Sequence, residues 1–206
     1  MHTRLSGTVV GALLNDPAEL AALGEAAFRP PHRTPPVAPV LEVKPRHTLA
    51  GDGARVVVPA GEERLEVGVS LGIVMGPGVI AGYLVAADFS LPVLSHYRPA
   101  VRLKARDGFC PIGVVVPASA VTAPDALACE LRVDGRPVQR SSTGGRVRSV
   151  EQLVAAVRGF MTLAPGDVLL LGRGHALASV SAGQTLLATI EGVGSLRCSV
   201  VAEAAS

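Results

Sequence analysis

A chain of 206 residues and 21.0 kDa suits one compact domain. Hydrophobic residues make up 49% but aromatics only 3%, so Ala, Val and Leu must fill the core. A net charge of +2 with no basic block argues against nucleic acid or an anionic membrane as partner. The three cysteines, Cys110, Cys129 and Cys198, are widely spaced and form no CxxC pair, which reads as reduced thiols in a cytoplasmic protein. The segment from Met1 to Gly7 is polar and shows no signal-peptide pattern.

In chain order, "GTVVGALL" (7–14) predicts a strand. A helix follows over 15–28, with Asp16 as N-cap, Pro17 at the first helical position and Glu19 closing a capping box. The proline-rich "RPPHRTPPVAP" (29–39) cannot be regular helix and is expected to run extended over the surface. Strands are expected at 40–45, 54–59, 65–76 and 80–89, a mixed loop at 90–108, and a strand over "FCPIGVVVP" (109–117). Residues 127–142 alternate on both sides of Asp134-Gly135, a hairpin signal. A second helix fits 149–160, with Ser149 as N-cap and Gln152 closing its capping box. Runs at 164–172 and 181–192 each place a turn before a strand. The fold class is therefore β-dominated α+β, in one domain with an N-terminal part (1–39) and a β-rich body (40–206).

The residues from Val67 to Ala87 carry no charge, about the length that spans a bilayer. Pro77-Gly78 interrupts them, and their β-branched content favours two buried strands joined at "MGPGV" over a membrane helix. "GPGVIAG" (76–82) has GxGxxxG spacing, and Asp88 follows too early for a ribose contact, so a glycine-softened strand connection is preferred to a nucleotide loop. The histidines are scattered, with no pair at zincin spacing, and GxSxG does not occur. Asp107 and Asp167 stand beside glycines, where an aspartate usually forms a turn. His96, Tyr97, Arg98, Arg102, Lys104, Arg106 and Asp107 gather within twelve residues of a chain otherwise poor in charge. Such a cluster suits a carboxylate-bearing substrate, with a solvated, salt-bridged loop as the alternative.

The words "KPRHT" (44–48), "IAGYLVAADFS" (80–90), "KARDGFCPIG" (104–113), "VDGRPVQ" (133–139), "TLAPGDVLLLG" (162–172) and "IEGVGSL" (190–196) resemble, in order and spacing, the fumarylacetoacetate hydrolase family. "YRPA" (97–100) and "GTVVGALLN" narrow the likeness to the N-terminal half, or separate subunit, of the isomerase/decarboxylases of 4-hydroxyphenylacetate (homoprotocatechuate) catabolism. The resemblance implies rolled mixed β-sheets with a few short helices. It also implies action on 2-hydroxyhepta-2,4-diene-1,7-dioate or 5-oxopent-3-ene-1,2,5-tricarboxylate, and pairing with a homologous catalytic subunit or a second copy. Active relatives hold a divalent cation, usually magnesium, on two glutamates one residue apart and a later aspartate, ligands suited to a hard ion that stabilises an enolate.

Here the aspartate matches Asp88 and the family lysine matches Lys104, while the glutamate positions fall on Gly68 and Ser70. Glu66 is the nearest shifted substitute. The family's His-Glu dyad falls on Glu19 and Ala22, and its Gly-Thr-Pro on "GRG" (172–174). The site expected on this basis has Lys104 and Asp88 as catalytic groups and Arg98, Arg106 and Tyr97 as substrate contacts. Magnesium would be bound weakly or not at all, with Asp88 as its one surviving ligand. Two readings remain open: an isomerase/decarboxylase, or related 2-oxo-acid C–C hydrolase, in its own right, and a non-catalytic partner subunit. A ligand-binding module that has left the pathway is a third.

Overall fold

The computed structural model describes residues 7–30, 33–92 and 101–204. It begins with strand β1 (Val9–Leu13), which leads into a short helix, α1 (Pro17–Ala21). Asp16 caps α1 as expected, its side chain accepting from the Ala18 N–H at 2.9 Å. The capping box does not form. Glu19 turns away from the cap and accepts instead from the Leu14 N–H at 3.0 Å. The helix expected to reach residue 28 stops at Ala21, and a 3₁₀ turn over Gly24–Phe28 completes that stretch.

Next come β2 (Val40–Lys44), β3 (Leu49–Ala50), β4 (Ala54–Val58), β5 (Leu65–Met75) and β6 (Ile80–Ser90). Helix α2 (Val101–Lys104) lies within the stretch read as a mixed loop. The strand expected at 109–117 is in fact two short pieces, β7 (Cys110–Pro111) and β8 (Val116–Pro117), pairing with different partners. Strands β9 (Ala128–Val133) and β10 (Arg136–Ser142) form the hairpin at Asp134-Gly135, where both residues have positive φ, 48° and 79°. This is the turn geometry that asparagine, aspartate and glycine tolerate. Helix α3 (Val150–Arg158) starts at Ser149 with the full capping box to Gln152. Strands β11 (Val168–Leu170), β12 (Ala178–Val180), β13 (Thr185–Ile190) and β14 (Gly194–Ala202) complete the chain.

Three sheets result. The seven-stranded sheet runs β2-β1-β11-β5-β6-β8, with β12 also on β5, and the five-stranded sheet runs β10-β9-β13-β14-β4. A small ladder joins β3 to β7. Pairs β1/β11, β4/β14 and β3/β7 are parallel and the others antiparallel, so the architecture is mixed and strand-dominated.

Strands β5 and β6 explain the uncharged run. Their odd-numbered residues, such as Val69, Leu71, Ile73, Val85 and Phe89, join the main core with Leu131, Ala188, Leu196 and Leu153 of α3. Their even-numbered residues face a second apolar cluster containing Val74, Leu84, Ala86, Val9, Val168, Leu170, Cys110 and Ile112. A hairpin buried on both faces has no place for a charge except where a partner awaits it. The connection at Gly76-Val79 is a turn, closed by the Gly76 N–H donating to the Val79 carbonyl at 2.8 Å. Among the described residues no helix is long and apolar enough to cross a membrane.

Candidate functional site

The charge that breaks the run is Asp88. It lies on the even face of β6, opposite Gly68 on β5, with only 4% of its surface exposed. Lys44 Nζ donates to its Oδ1 at 2.6 Å, and Lys104 Nζ stands 3.6 Å from its Oδ2. Both ammonium groups are also 2.8 Å from Glu42 Oε1. Two lysines and two carboxylates therefore alternate around a buried square. Strand β2 supplies two corners because its alternation is inverted: Glu42 and Lys44 share the inward face while Val43 is 61% exposed. Helix α2 supplies the third corner, Lys104.

Burial works against every charge in the square, and the partners decide the outcome. Burial pushes the Asp88 carboxyl up, but the joint pull of Lys104, Lys44 and Arg173 outweighs it and holds the group well below the usual carboxylate range. Burial pushes Lys44 down, and Asp88 and Glu42 more than reverse this, raising it above the ordinary lysine value. Lys104 goes the other way. Burial lowers it, and the repulsion of Arg173 and Lys44 adds to burial, so the attraction of Asp88 and Glu42 does not restore it and its ammonium loses a proton more readily.

The loop after β11 closes the site. Arg173, 4% exposed, donates from Nη1 to Ser90 Oγ at 2.8 Å and reaches the Asp88 carbonyl at 3.5 Å. Its own carbonyl accepts from Gln139 Nε2 at 3.2 Å, and Gln139 Oε1 accepts from the Val69 N–H, also at 3.2 Å. Gln139 thus ties this loop to β5. The same loop occupies the space above positions 68 and 70. A Cβ on Gly68 would lie 2.6 Å from the Arg173 carbonyl oxygen and 2.9 Å from both Arg173 Cβ and Leu177 Cδ2. Ser70 Oγ accepts from the Gly172 N–H at 3.1 Å. A bare glycine and a short hydroxyl are what let the loop sit this close.

Helix α1 approaches from a third side. Burial raises the Glu19 carboxyl, against the pull of Arg173, the Leu14 N–H and Lys104. Glu19 is therefore an electrostatic neighbour of the site as well as a local brace. The base of this segment is fixed by Asn15, which donates from Nδ2 to the Leu171 carbonyl at 2.9 Å and accepts from the Arg148 N–H at 2.9 Å.

The structure places Asp88, Lys104, Gly68 and Ser70 near one another and joins to them Lys44, Glu42 and Arg173, which the sequence reading did not single out. Two signals were present: Lys44 heads "KPRHT" and shares a strand face with Glu42, and Arg173 is the odd residue of "GRG". Arg106 is half-buried and spends its Nε on the Arg102 carbonyl at 3.0 Å, and Arg102 is exposed. Tyr97, Arg98 and His96 lie outside the described residues. Asp167 is the turn brace expected of it, accepting from the Thr8 and Ala164 N–H groups.

The sequence and the fold both match known proteins. The family model for the C-terminal domain of fumarylacetoacetate hydrolase matches residues 8–201. The chain belongs to the fumarylacetoacetate hydrolase family. It is 37% identical, over 97% of its own length, to the 4-hydroxyphenylacetate degradation bifunctional isomerase/decarboxylase of Escherichia coli, and covers 48% of that protein. It thus spans about half the length of the curated relatives it matches first. Among solved structures, 2-hydroxyhepta-2,4-diene-1,7-dioate isomerase from Mycobacterium marinum aligns with a TM-score of 0.82 at 25% identity, covering 99% of this chain and 78% of that one. Fumarylpyruvate hydrolase from Pseudomonas aeruginosa, in complex with Mn2+ and pyruvate, aligns with a TM-score of 0.77 at 27% identity, covering 95% and 89% respectively.

Family neighbours hold a divalent cation, but the described residues around Asp88 do not fit one. At the positions that the resemblance implies for metal ligands, Asp88 is the single carboxylate, and both its oxygens already face lysines. Gly68 offers no donor, and Ser70 Oγ is engaged by a backbone N–H. No cluster of three or more His, Cys, Asp or Glu side chains suited to a metal occurs among the described residues. Two unit charges 4 Å apart repel by about 4 kcal/mol at an effective dielectric of 20, and a divalent ion beside Lys44, Lys104 and Arg173 would meet several such terms.

Proposed function

We propose that this chain is a subunit of an isomerase/decarboxylase in 4-hydroxyphenylacetate catabolism. That system handles unsaturated dicarboxylates and tricarboxylates such as 2-hydroxyhepta-2,4-diene-1,7-dioate. In this reading the chain partners a homologous subunit that carries the metal-dependent chemistry. The observation that carries it is the loop 172–174: its packing on Gly68 and its hydrogen bond to Ser70 fill the space where an active relative needs two glutamates. Enolisation of a 2-oxo acid needs a strong electrophile at the developing oxyanion, and without the metal the described residues around Asp88 offer amines and a guanidinium. Coverage of about half of the Escherichia coli relative supports a second, related half as the partner.

One observation favours activity in the chain itself. Lys104 and Glu19 are both pushed toward their neutral forms within one electrostatic cluster, as an acid–base pair near neutral pH would require. Lys104 would then move the proton, and Asp88 would hold Lys44 and Lys104 in place.

An isomerase and decarboxylase assay with magnesium, on the purified chain and then with a homologue bearing the glutamate pair, separates the two. The subunit reading expects no turnover from the chain alone and higher turnover from the mixture than from the homologue alone. Turnover by the chain alone that is abolished in Lys104→Met would establish the second reading.

A further inference from the structure

We propose that Arg173 is a tethered cation that replaces the family's divalent metal, so that the site around Asp88 is completed by the chain itself and closed to metal ions. The inference uses the family's ligand positions and does not depend on which activity the chain supports.

Three features converge on Arg173. Its guanidinium is held in the buried interior by Ser90 Oγ and the Asp88 carbonyl, both on β6. The Asp88 carboxylate meets Lys44 Nζ at 2.6 Å and Lys104 Nζ at 3.6 Å, with the Arg173 guanidinium beside them at the Asp88 carbonyl, so the aspartate that would ligate a metal already faces cations of the same protein. Its backbone and Cβ lie against Gly68, the position where a ligand glutamate would project. The replacement is therefore coupled. Arginine at 173 brings the charge, glycine at 68 gives the loop room, and serine at 70 holds Gly172 through its N–H. Gly172 and Gly174 flank the arginine with φ of 110° and 76°, backbone that directs its side chain inward and that other residues adopt with strain. Gly68 and Ser70, each a loss when read singly, belong with Arg173 to one device.

The charges agree with this. Asp88, Glu42 and Glu19 face Lys44, Lys104 and Arg173, so the carboxylates of the cluster are already matched one for one by cations and none is left over for a divalent ion. A guanidinium is suited to the task because it stays charged when buried and presents several fixed donors.

The test combines a metal titration with a double-mutant cycle on the full chain. Manganese added to the wild type and followed by the electron-spin signal of the free ion should remain unbound at stoichiometric concentrations. In denaturant unfolding, Arg173→Met should raise the unfolded-to-folded ratio by about ten- to a hundredfold, because a buried hydroxyl and carbonyl lose a charged donor. Arg173→Lys should lose less. Combining Arg173→Met with Asp88→Asn should cost less than the product of the two single effects, since each removes the other's counter-charge. Stoichiometric manganese binding that disappears in Asp88→Asn would overturn the proposal, as would wild-type stability in Arg173→Met or strictly multiplicative effects in the double variant. If Arg173→Met does not fold, the lysine variant decides: a folded Arg173→Lys supports a required charge, and an unfolded one refutes it. None of these readouts is an activity, so failure here leaves the subunit proposal standing, and failure of the activity assay leaves this one.

Discussion

At the scale of single residues, Asp88 is the carboxylate around which the buried charges are arranged. A buried carboxylate between two ammonium groups is costly to assemble and costlier to break, because removing one member strands the others. Asp88→Asn is expected to destabilise the fold by about 3–5 kcal/mol, measured by urea unfolding at neutral pH. The pH dependence follows from its depressed carboxyl. Folding lowers the group's pKa, so the unfolded chain binds the proton more tightly. Its contribution is complete above about pH 4, the ordinary aspartate range, and is lost as the pH falls further below it. The stability gap between wild type and Asp88→Asn should therefore be constant from pH 7 to about 5 and narrow below about 4. A gap that widens on acidification would contradict the ion-paired arrangement. Ser70 and Gly68 give a second residue-scale test. Ser70→Ala leaves the Gly172 N–H buried without its acceptor, at an expected loss of about 1–3 kcal/mol. Gly68→Ala drives a methyl into the Arg173 carbonyl, which backbone adjustment must relieve, at about 1–3 kcal/mol.

At the scale of elements, what could be read in advance was whatever local chemistry fixes. Helix α3 was legible because Ser149 and Gln152 form a capping box that needs no distant partner, and Ser149→Ala should cost about 1 kcal/mol in thermal or urea unfolding. The β9–β10 hairpin was legible because only a few residues tolerate the positive φ of its turn. The capping box expected at α1 has the same spacing and still failed, because Glu19 has a better use: the Leu14 N–H, on the side facing Arg173 and Lys104. Strands β3, β12 and β14 were missed for a related reason. The two-residue β3 exists only through its parallel partner β7, β12 only by pairing with the end of β5, and β14 is inserted between β13 and β4. Such pairings are non-local and leave little trace in short runs of sequence. The site divides in the same way. Asp88, Lys104, Gly68 and Ser70 could be placed by resemblance in order along the chain. Lys44, Glu42 and Arg173 enter from β2 and the loop after β11, and only the fold brings them to Asp88.

At the scale of the whole molecule, the two apolar clusters raise the question of cooperativity, since they lie on opposite faces of one central hairpin, β5–β6. We infer a single folding unit, because no strand of that hairpin can open without exposing both clusters. The three cysteines report on this separately. Cys110 belongs to the second cluster, whereas Cys129 and Cys198 belong to the main one, and all three are free and buried. Burial pushes the Cys110 and Cys198 thiols up to about 12, so neither supplies thiolate at neutral pH while the protein is folded. A thiol reagent under native conditions is therefore expected to label none of the three on the timescale on which the denatured chain labels all of them. Where slow labelling is observed, its rate should be common to the three sites and rise in step with the unfolded fraction as urea is added. Faster labelling of Cys110 alone, resolved by mass spectrometry of the peptides, would mean that the Asp88 side of the sheet opens independently of the main core. It would also mean that the charged square is a separately stabilised lid over one face, and the single-unit inference would fail. Asp88→Asn sharpens the test: in a single unit the substitution accelerates labelling at all three cysteines by the same factor, although only Cys110 lies beside the altered charge.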